Sequence, residues 1–240
     1  MNLILFAPAE LDAPLPRSDR RAIHILDVLR RKAGESFDVG LIDGPRGKAT
    51  LAHVGADALT LTFAWDAAPP PPAAPIKLIV GLPRPQTARD ILRDATTLGV
   101  AALHFVAAEK SEPGYAKSTL WSSGEWRRHA LAGAEQAFDT RVPDITWGAG
   151  LRDVVASLPP ASTRLALDNY EAATGLGKCH LLNDTSVTLA VGPERGWAAT
   201  EREFLHAQNF ALVHLGPRVL RVETAVVAAL AIVRSKLGLM

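Results

Sequence analysis

Arg218, Arg221 and Glu223 lie close together just ahead of the apolar run Ala225 to Val233. Two guanidinium groups and a carboxylate in that arrangement suit stabilisation of a developing anion, or an ordinary ion pair beside a helix start. They follow a Gly216-Pro217 turn, and a second turn of the same kind opens Gly192-Pro193-Glu194-Arg195-Gly196. A Gly-Pro turn after a strand fixes backbone amides and carbonyls, and the next helix adds partial positive charge at its N-terminus. Such a loop suits a nucleotide-like ligand, and one such loop alone is equally a plain strand-to-helix turn. GPERG has neither the GxGxxG nor the GxxxxGK[ST] spacing, which argues against a dinucleotide and against a P-loop triphosphate.

Other chemistries find little support. Cys179 and His180 are adjacent, a spacing unsuited to joint metal ligation, and the remaining histidines form no HExxH pair, so no metal site is expected. There is no GxSxG nucleophile elbow and no motif partner for the lone Cys179.

Two similar units position the Gly-Pro turns. Val187 to Val191 reads as a strand, followed by the first turn and a helix for which Thr200 and Glu203 have the capping-box spacing. Phe210 to Leu215 reads as the next strand, followed by the second turn and a helix to Lys236 that Thr224 can cap. Upstream, Ile76 to Leu82 and Ala102 to Val106 read as strands around a helix from Thr87 to Leu98 that Gly99 ends. A helix over Glu125 to Ala137, a short one near Leu151 to Leu158 and a strand over Arg164 to Leu167 complete the series. This alternation predicts an α/β domain with a largely parallel sheet, whose ligand sits beyond the carboxyl ends of the strands. Asp168-Asn169 falls at such an end, as both Gly-Pro turns do.

The four consecutive prolines within Asp66 to Pro75 favour an extended spacer, and the expected division is 1–68, a linker at 69–75, and 76–240. The first part shows a helical stripe from Ser18 to Leu29, then short alternating runs separated by Gly-rich turns, which predicts a small β-barrel or sheet. It carries Arg17, Arg20, Arg21, Arg30, Arg31 and Lys32, with Arg46 at a hairpin turn. These residues make a basic face plausible, and a solvated helix surface is the plainer alternative.

The 240 residues are 48% hydrophobic, enough to fill one large or two modest domains, and the formal charge of +1 does not by itself mark a nucleic-acid binder. One cysteine excludes an internal disulfide, so a reduced, cytoplasmic setting is the simplest expectation. The start lacks the basic region of a signal peptide, and Ala225 to Val233 is too short to cross a bilayer, so no membrane role is expected.

VGPERGW at 191–197 and LGPRVLRVETA at 215–225 together resemble the paired signature of the bacterial 16S rRNA uridine-N3 methyltransferases, a family of the SPOUT superfamily. HILDVLRRKAGESFDVGLIDG at 24–44 resembles that family's PUA-like RNA-binding domain, and TTLGV at 96–100, AEQ at 134–136 and RVP at 141–143 resemble further family motifs. The resemblance implies a C-terminal domain tied in a trefoil knot, an N-terminal PUA-like barrel, a homodimer, and 16S rRNA of the small ribosomal subunit as substrate. It also implies S-adenosylmethionine held mainly by backbone groups of three loops. Those loops are Leu167-Asp168, Val191 with Gly192 to Gly196, and Leu215-Gly216-Pro217-Arg218-Val219-Leu220-Arg221. The chain departs from the family pattern at Arg195, where Gly is usual, Val222 for Thr, Thr97 for Glu, and Ala137-Phe138-Asp139 for Cys or Ser, Gly and Arg.

N3 of uracil carries a proton and is a poor nucleophile until that proton leaves. Such an enzyme must therefore align the base with an activated methyl group and stabilise the developing anion. Arg221 is the candidate for stabilisation, and Glu223 or Glu194 for base or orienter of arginine, with water as the alternative acceptor of the proton. A non-catalytic RNA-binding or ribosome-assembly factor with the same fold is the alternative, as is a methyltransferase for another rRNA site or a tRNA.

Overall fold

The computed structural model describes residues 3–159, 163–181 and 186–240. The chain divides into two compact units: residues up to Pro72 together with Ala134–Val142, and Ala73–Gly133 together with Pro143–Met240.

In the first unit the chain runs through β1 (Ile4–Phe6), β2 (Leu15–Pro16), α1 (Arg20–Ile23), β3 (Ser36–Leu41), β4 (Arg46–Val54) and β5 (Ala58–Trp65). Among the described residues these strands form one sheet in the order β1-β3-β4-β5-β2, with β1 parallel to β3 and the other pairs antiparallel. Alternate residues turn inward, so that Phe6, Val39, Leu51 and Leu59 meet Ile25 in one apolar cluster. The expected single helix is instead α1 followed by a π-helical turn, His24–Val28. Asp19 caps it by accepting the Arg21 amide at 2.8 Å. Residues 134–142 attach through the hairpin turn: Thr140 Oγ1 donates to the Gly44 carbonyl at 2.6 Å, and the Asp43 amide to the Thr140 carbonyl at 2.9 Å. Arg141 Nε donates to the Pro71 carbonyl at 2.6 Å and so ties down the proline stretch.

Arg21, expected on a basic face, is committed to holding this unit together. Its guanidinium meets Glu10 at 2.7 and 3.0 Å, Asp19 at 2.8 and 3.1 Å, and the Leu5 carbonyl at 3.2 Å, with its side chain 15% exposed. Hydrogen bonds from Arg21 hold both carboxyls below their ordinary values of 4.5 and 3.8. Lowered folded values mean that this stability is fully present above the ordinary carboxylate range and is lost as pH falls through the folded values. Arg21→Ala is expected to lower the unit's stability by about 2 kcal/mol at pH 7. Acid denaturation followed by circular dichroism should show the loss shrinking below about pH 4.

The second unit contains β6 (Ala74–Gly81), α2 (Pro85–Thr97), β7 (Val100–Ala107), α3 (Thr119–Ser122) and α4 (Glu125–Ala137), whose last turn belongs to the first unit. It continues with β8 (Asp144–Gly150), α5 (Leu151–Ala156), β9 (Thr163–Leu167), β10 (Thr174–Gly175), β11 (Val187–Val191), α6 (Ala199–Ala207), β12 (Ala211–His214) and α7 (Val222–Lys236). Among the described residues seven strands form a sheet in the order β10-β12-β9-β11-β6-β7-β8, and every neighbouring pair is parallel. Both faces are covered, as an all-parallel sheet requires. Ile91 and Leu92 of α2 and Val226 and Leu230 of α7 pack with Leu78 and Leu189, whereas Val154 of α5 and Leu205 of α6 pack with Ile79 and Ala190. No described helix is long and apolar enough to cross a membrane.

Two local expectations are corrected, and one strand is added. The capping carboxylate of α6 is Glu201, not Glu203: Glu201 accepts the Ala198 amide at 2.8 Å and the Glu109 amide at 2.9 Å, and Thr200 lies inside the helix, bonded to Glu109. Helix α7 starts at Val222 with Arg221 at its N-cap, which places Thr224 in the first turn. Strand β8 was not anticipated, because it is an edge strand with most of its residues exposed and so has no alternating pattern to read.

Candidate active site

Strands β6, β11, β9 and β12 are consecutive neighbours, so the loops leaving their carboxyl ends come together. A cleft of about 240 Å³ opens there. From the end of β9 and the loop after it the cleft takes Leu167, Asp168, Asn169 and Tyr170; from the end of β11 and its loop, Val191 to Gly196; and from the segment after β12, Leu215, Arg218, Val219 and Leu220. Val222 and Ala225 at the start of α7 complete the lining. Gly216 and Pro217, which the sequence groups with these residues, do not line the cleft. Gly216 instead makes the turn, at φ +107°, with its amide on His214 Nδ1 at 3.0 Å.

Close backbone packing shapes the middle loop. A Cβ on Gly192 would lie 3.0 Å from both Cα and C of Gly196, and one on Gly81, at the end of β6, would lie 2.4 Å from Pro193 Cδ. Gly196 has φ +67°, the left-handed region that favours glycine. Lys110 Nζ fastens the far side, donating to the Arg195 carbonyl at 3.3 Å and the Trp197 carbonyl at 3.0 Å. Trp197 is fully buried beneath.

Asp168 is buried and organises its own loop, Oδ1 accepting the amides of Tyr170 at 2.8 Å and Glu171 at 2.6 Å. Arg202 of α6 braces that loop through Glu171 at 2.6 Å and the Trp197 carbonyl at 2.8 Å. Tyr170, 72% exposed, lies at the cleft with the Arg202 guanidinium 5.4 Å from its ring centroid. In the last loop the amides of Arg218, Val219 and Leu220 make no hydrogen bond among the described residues.

Beside the cleft lies a second cavity of about 390 Å³, to which Arg221 and Glu223 contribute. Arg221 is 87% exposed at its side chain and 4.0 Å from Glu223. Glu194, the other candidate carboxylate, is not free: Oε1 accepts the Arg84 amide at 2.9 Å and Arg84 Nε at 3.4 Å.

The remaining candidates lie in the N-terminal unit. Arg17, Arg20, Arg30 and Lys32 are exposed, Arg17 with Nη1 on the Gly55 carbonyl at 3.3 Å. Arg20 is 3.6 Å from Glu135, whose carboxyl burial pushes up. Arg31 Nε is buried without a partner among the described residues, and Arg46 is partly buried with its guanidinium over the Phe138 ring. Asp139, where the resembled family has a cation, turns its own loop by accepting the amides of Thr140 at 2.7 Å and Arg141 at 3.1 Å. Thr97 serves helix packing, donating to the carbonyls of Arg93 and Gly133.

The sequence reading missed Tyr170 and Ala225 as cleft residues and Arg84 as the partner of Glu194. Asp168 at a strand end signals the first. Arg84 and Glu194 are 110 positions apart, and no local pattern connects them.

A family model described as RNA methyltransferase domain matches residues 69–234. Ribosomal RNA small subunit methyltransferase E of Treponema pallidum (strain Nichols) is 35% identical, over 97% of this chain and 90% of that protein. Ribosomal RNA small subunit methyltransferase E 1 of Borreliella burgdorferi is 25% identical over 99% of each. Among solved structures, a Ribosomal RNA small subunit methyltransferase E from Neisseria gonorrhoeae bound to S-adenosyl methionine has the same fold, with a TM-score of 0.80, 24% identity and 97% of both chains covered.

Proposed function

This chain belongs to the RNA methyltransferase family, and from that premise we propose that it is an S-adenosylmethionine-dependent enzyme that methylates N3 of a uridine in 16S rRNA of the small ribosomal subunit. The observation that carries the reading is the cleft at the ends of β6, β11, β9 and β12. The residues there fit the donor: the amides of Arg218 to Leu220, which have no partner among the described residues, and the side-chain-free backbone at Gly192 and Gly196 offer polar contacts at close range, and Leu167, Val191, Leu215 and Leu220 offer apolar walls. The donor, when bound, supplies an activated methyl group.

The chain's own residues must bind the base, orient it and handle its proton. The cofactor-contacting set is Leu167, Asp168, Val191, Gly192, Pro193, Glu194, Arg195, Gly196, Leu215, Val219 and Leu220, with Gly216 and Pro217 shaping the turn. Arg221 stabilises charge on the base, and Glu223 and Glu194 are the carboxylates available to orient it or to take the proton. Arg195 replaces the glycine usual in the resembled family and lines the cleft without closing it.

The finer architecture rests on the family resemblance. The 69–75 stretch links a PUA-like barrel to a 76–240 domain whose last loops form a trefoil knot; the insertion of β11 between β6 and β9 supports this topology. The enzyme works in the cytoplasm as a homodimer. The barrel reads RNA through Arg17, Arg20, Arg30, Arg31, Lys32 and Arg46, among which Arg17, Arg20, Arg30 and Lys32 are exposed, Arg20 with Glu135 at 3.6 Å. Replacing Arg17 and Lys32 by Ala is expected to weaken binding to a small-subunit rRNA fragment. The slope of log affinity against log salt should fall by about 0.9 for each duplex phosphate contact removed. An unchanged slope would remove these residues from the interface.

The competing reading, a non-catalytic assembly factor, predicts no donor binding. Isothermal titration with S-adenosylmethionine decides: saturable one-site heat is expected, and its absence would favour the assembly factor.

A further inference from the structure

Glu194, Val219, Leu220 and Val222 line both the donor cleft and the second cavity, so these two spaces share a wall. The second cavity is otherwise bounded by Arg84, Thr87, Arg221 and Glu223. Its polar side chains are two guanidinium donors, two carboxylates and the Thr87 hydroxyl. A uracil edge presents the complement of that set, an N3–H flanked by two carbonyl oxygens.

The carboxylates are not equivalent. Glu223 belongs to the second cavity alone, whereas Glu194 stands at the wall that a transferred methyl group has to reach across. Glu194 Oε1 is taken up by the Arg84 amide and Nε, and Oε2 has no partner among the described residues. Both ends of this link are backbone-anchored. Arg84 is the N-cap residue of α2, and Glu194 follows Pro193, which packs on Gly81 so tightly that any side chain there would collide with it.

We propose, resting on the methyltransferase reading above, that the second cavity receives the target uracil with N3–H on Glu194 Oε2, and that Arg84 is a positioning residue that fixes this carboxylate. The N3–H bond breaks, the proton passes to Oε2, and the electron pair stays on N3 as the nucleophile. The negative charge spreads onto the carbonyl oxygens, which the guanidinium of Arg221 stabilises. The proton then leaves to solvent, since the Glu194 side chain is 31% exposed. The arrangement also selects its base: N3 of cytosine has no proton and would set a lone pair against the carboxylate.

The test uses full-length protein with small subunits lacking the methyl mark. Glu194→Gln should lower kcat about 100-fold or more, read at saturating donor and saturating subunit so that any change in affinity does not enter the rate. Its rate should recover as pH is raised, because hydroxide then removes the N3 proton in place of Oε2. Arg84→Ala should lower kcat about tenfold with little change in KM for the donor, because the backbone amide of residue 84 still holds Oε1. An E194Q enzyme at wild-type rate, or one whose loss does not recover with pH, overturns the assignment while leaving the methyltransferase reading intact. Wild-type protein that neither takes up the donor nor methylates the subunit overturns both.

Discussion

Gly192→Ala is expected to weaken S-adenosylmethionine binding about 30-fold while leaving the chain folded. The new methyl would lie 3.0 Å from Gly196 Cα, Gly196 C and Trp197 N, all backbone atoms that no rotamer change can move aside. Nor is the loop free to retreat. Trp197 is fully buried in the apolar cluster beneath, Lys110 holds two of the loop carbonyls, and Pro193 is packed on Gly81. Overpacking of this kind costs about 2 kcal/mol. Because the crowded loop is also the cleft wall, that cost is expected to emerge as lost donor affinity, at about tenfold per 1.4 kcal/mol. Calorimetry measures the affinity and a thermal melt checks the fold. An unchanged affinity would mean that the loop relaxes freely and does not shape the donor site.

Arg221→Ala is expected to lower methyl transfer by about 100- to 1,000-fold, the scale seen when a positioned donor to a developing anion is removed. The side chain is 87% exposed and its contact with Glu223 is 4.0 Å, so its removal should leave stability nearly untouched. It lines the second cavity and not the donor cleft, so donor affinity should hold. Single-turnover rates with labelled donor provide the measurement. A near-normal rate would show that the charge on the base is stabilised elsewhere.

Much of the parallel-sheet unit was legible because its signals are local. Apolar runs such as Val187 to Val191 fill strands buried on both faces, and Gly99 and the two Gly-Pro turns mark where elements end. Capping was misread because Thr200 and Glu203 have the right spacing, and only the tertiary partner Glu109 shows that Glu201 is the residue drawn to the helix start. Strand β8 escaped because an exposed edge strand carries no buried stripe.

The cleft was legible in its glycines and not in its cross-chain partners. Close approach of Gly192 to Gly196 is a consequence of neighbouring residues. The Arg84–Glu194 link depends on β6 and β11 being adjacent, which the register Val191 to Val80 establishes and no sequence spacing encodes. The basic face shows the same limit. Arg21 carries the same charge as Arg17, yet it is bound by Glu10 and Asp19, and only the fold separates a structural cation from an exposed one.

Mass mapping of 16S rRNA tests the central claim most directly, by comparing a strain lacking this gene with the same strain carrying it. The account predicts that one uridine lacks the mass of a single methyl group in the deletion strain and regains it on complementation, with the methyl on N3. An rRNA methylation pattern identical in the two strains would contradict it.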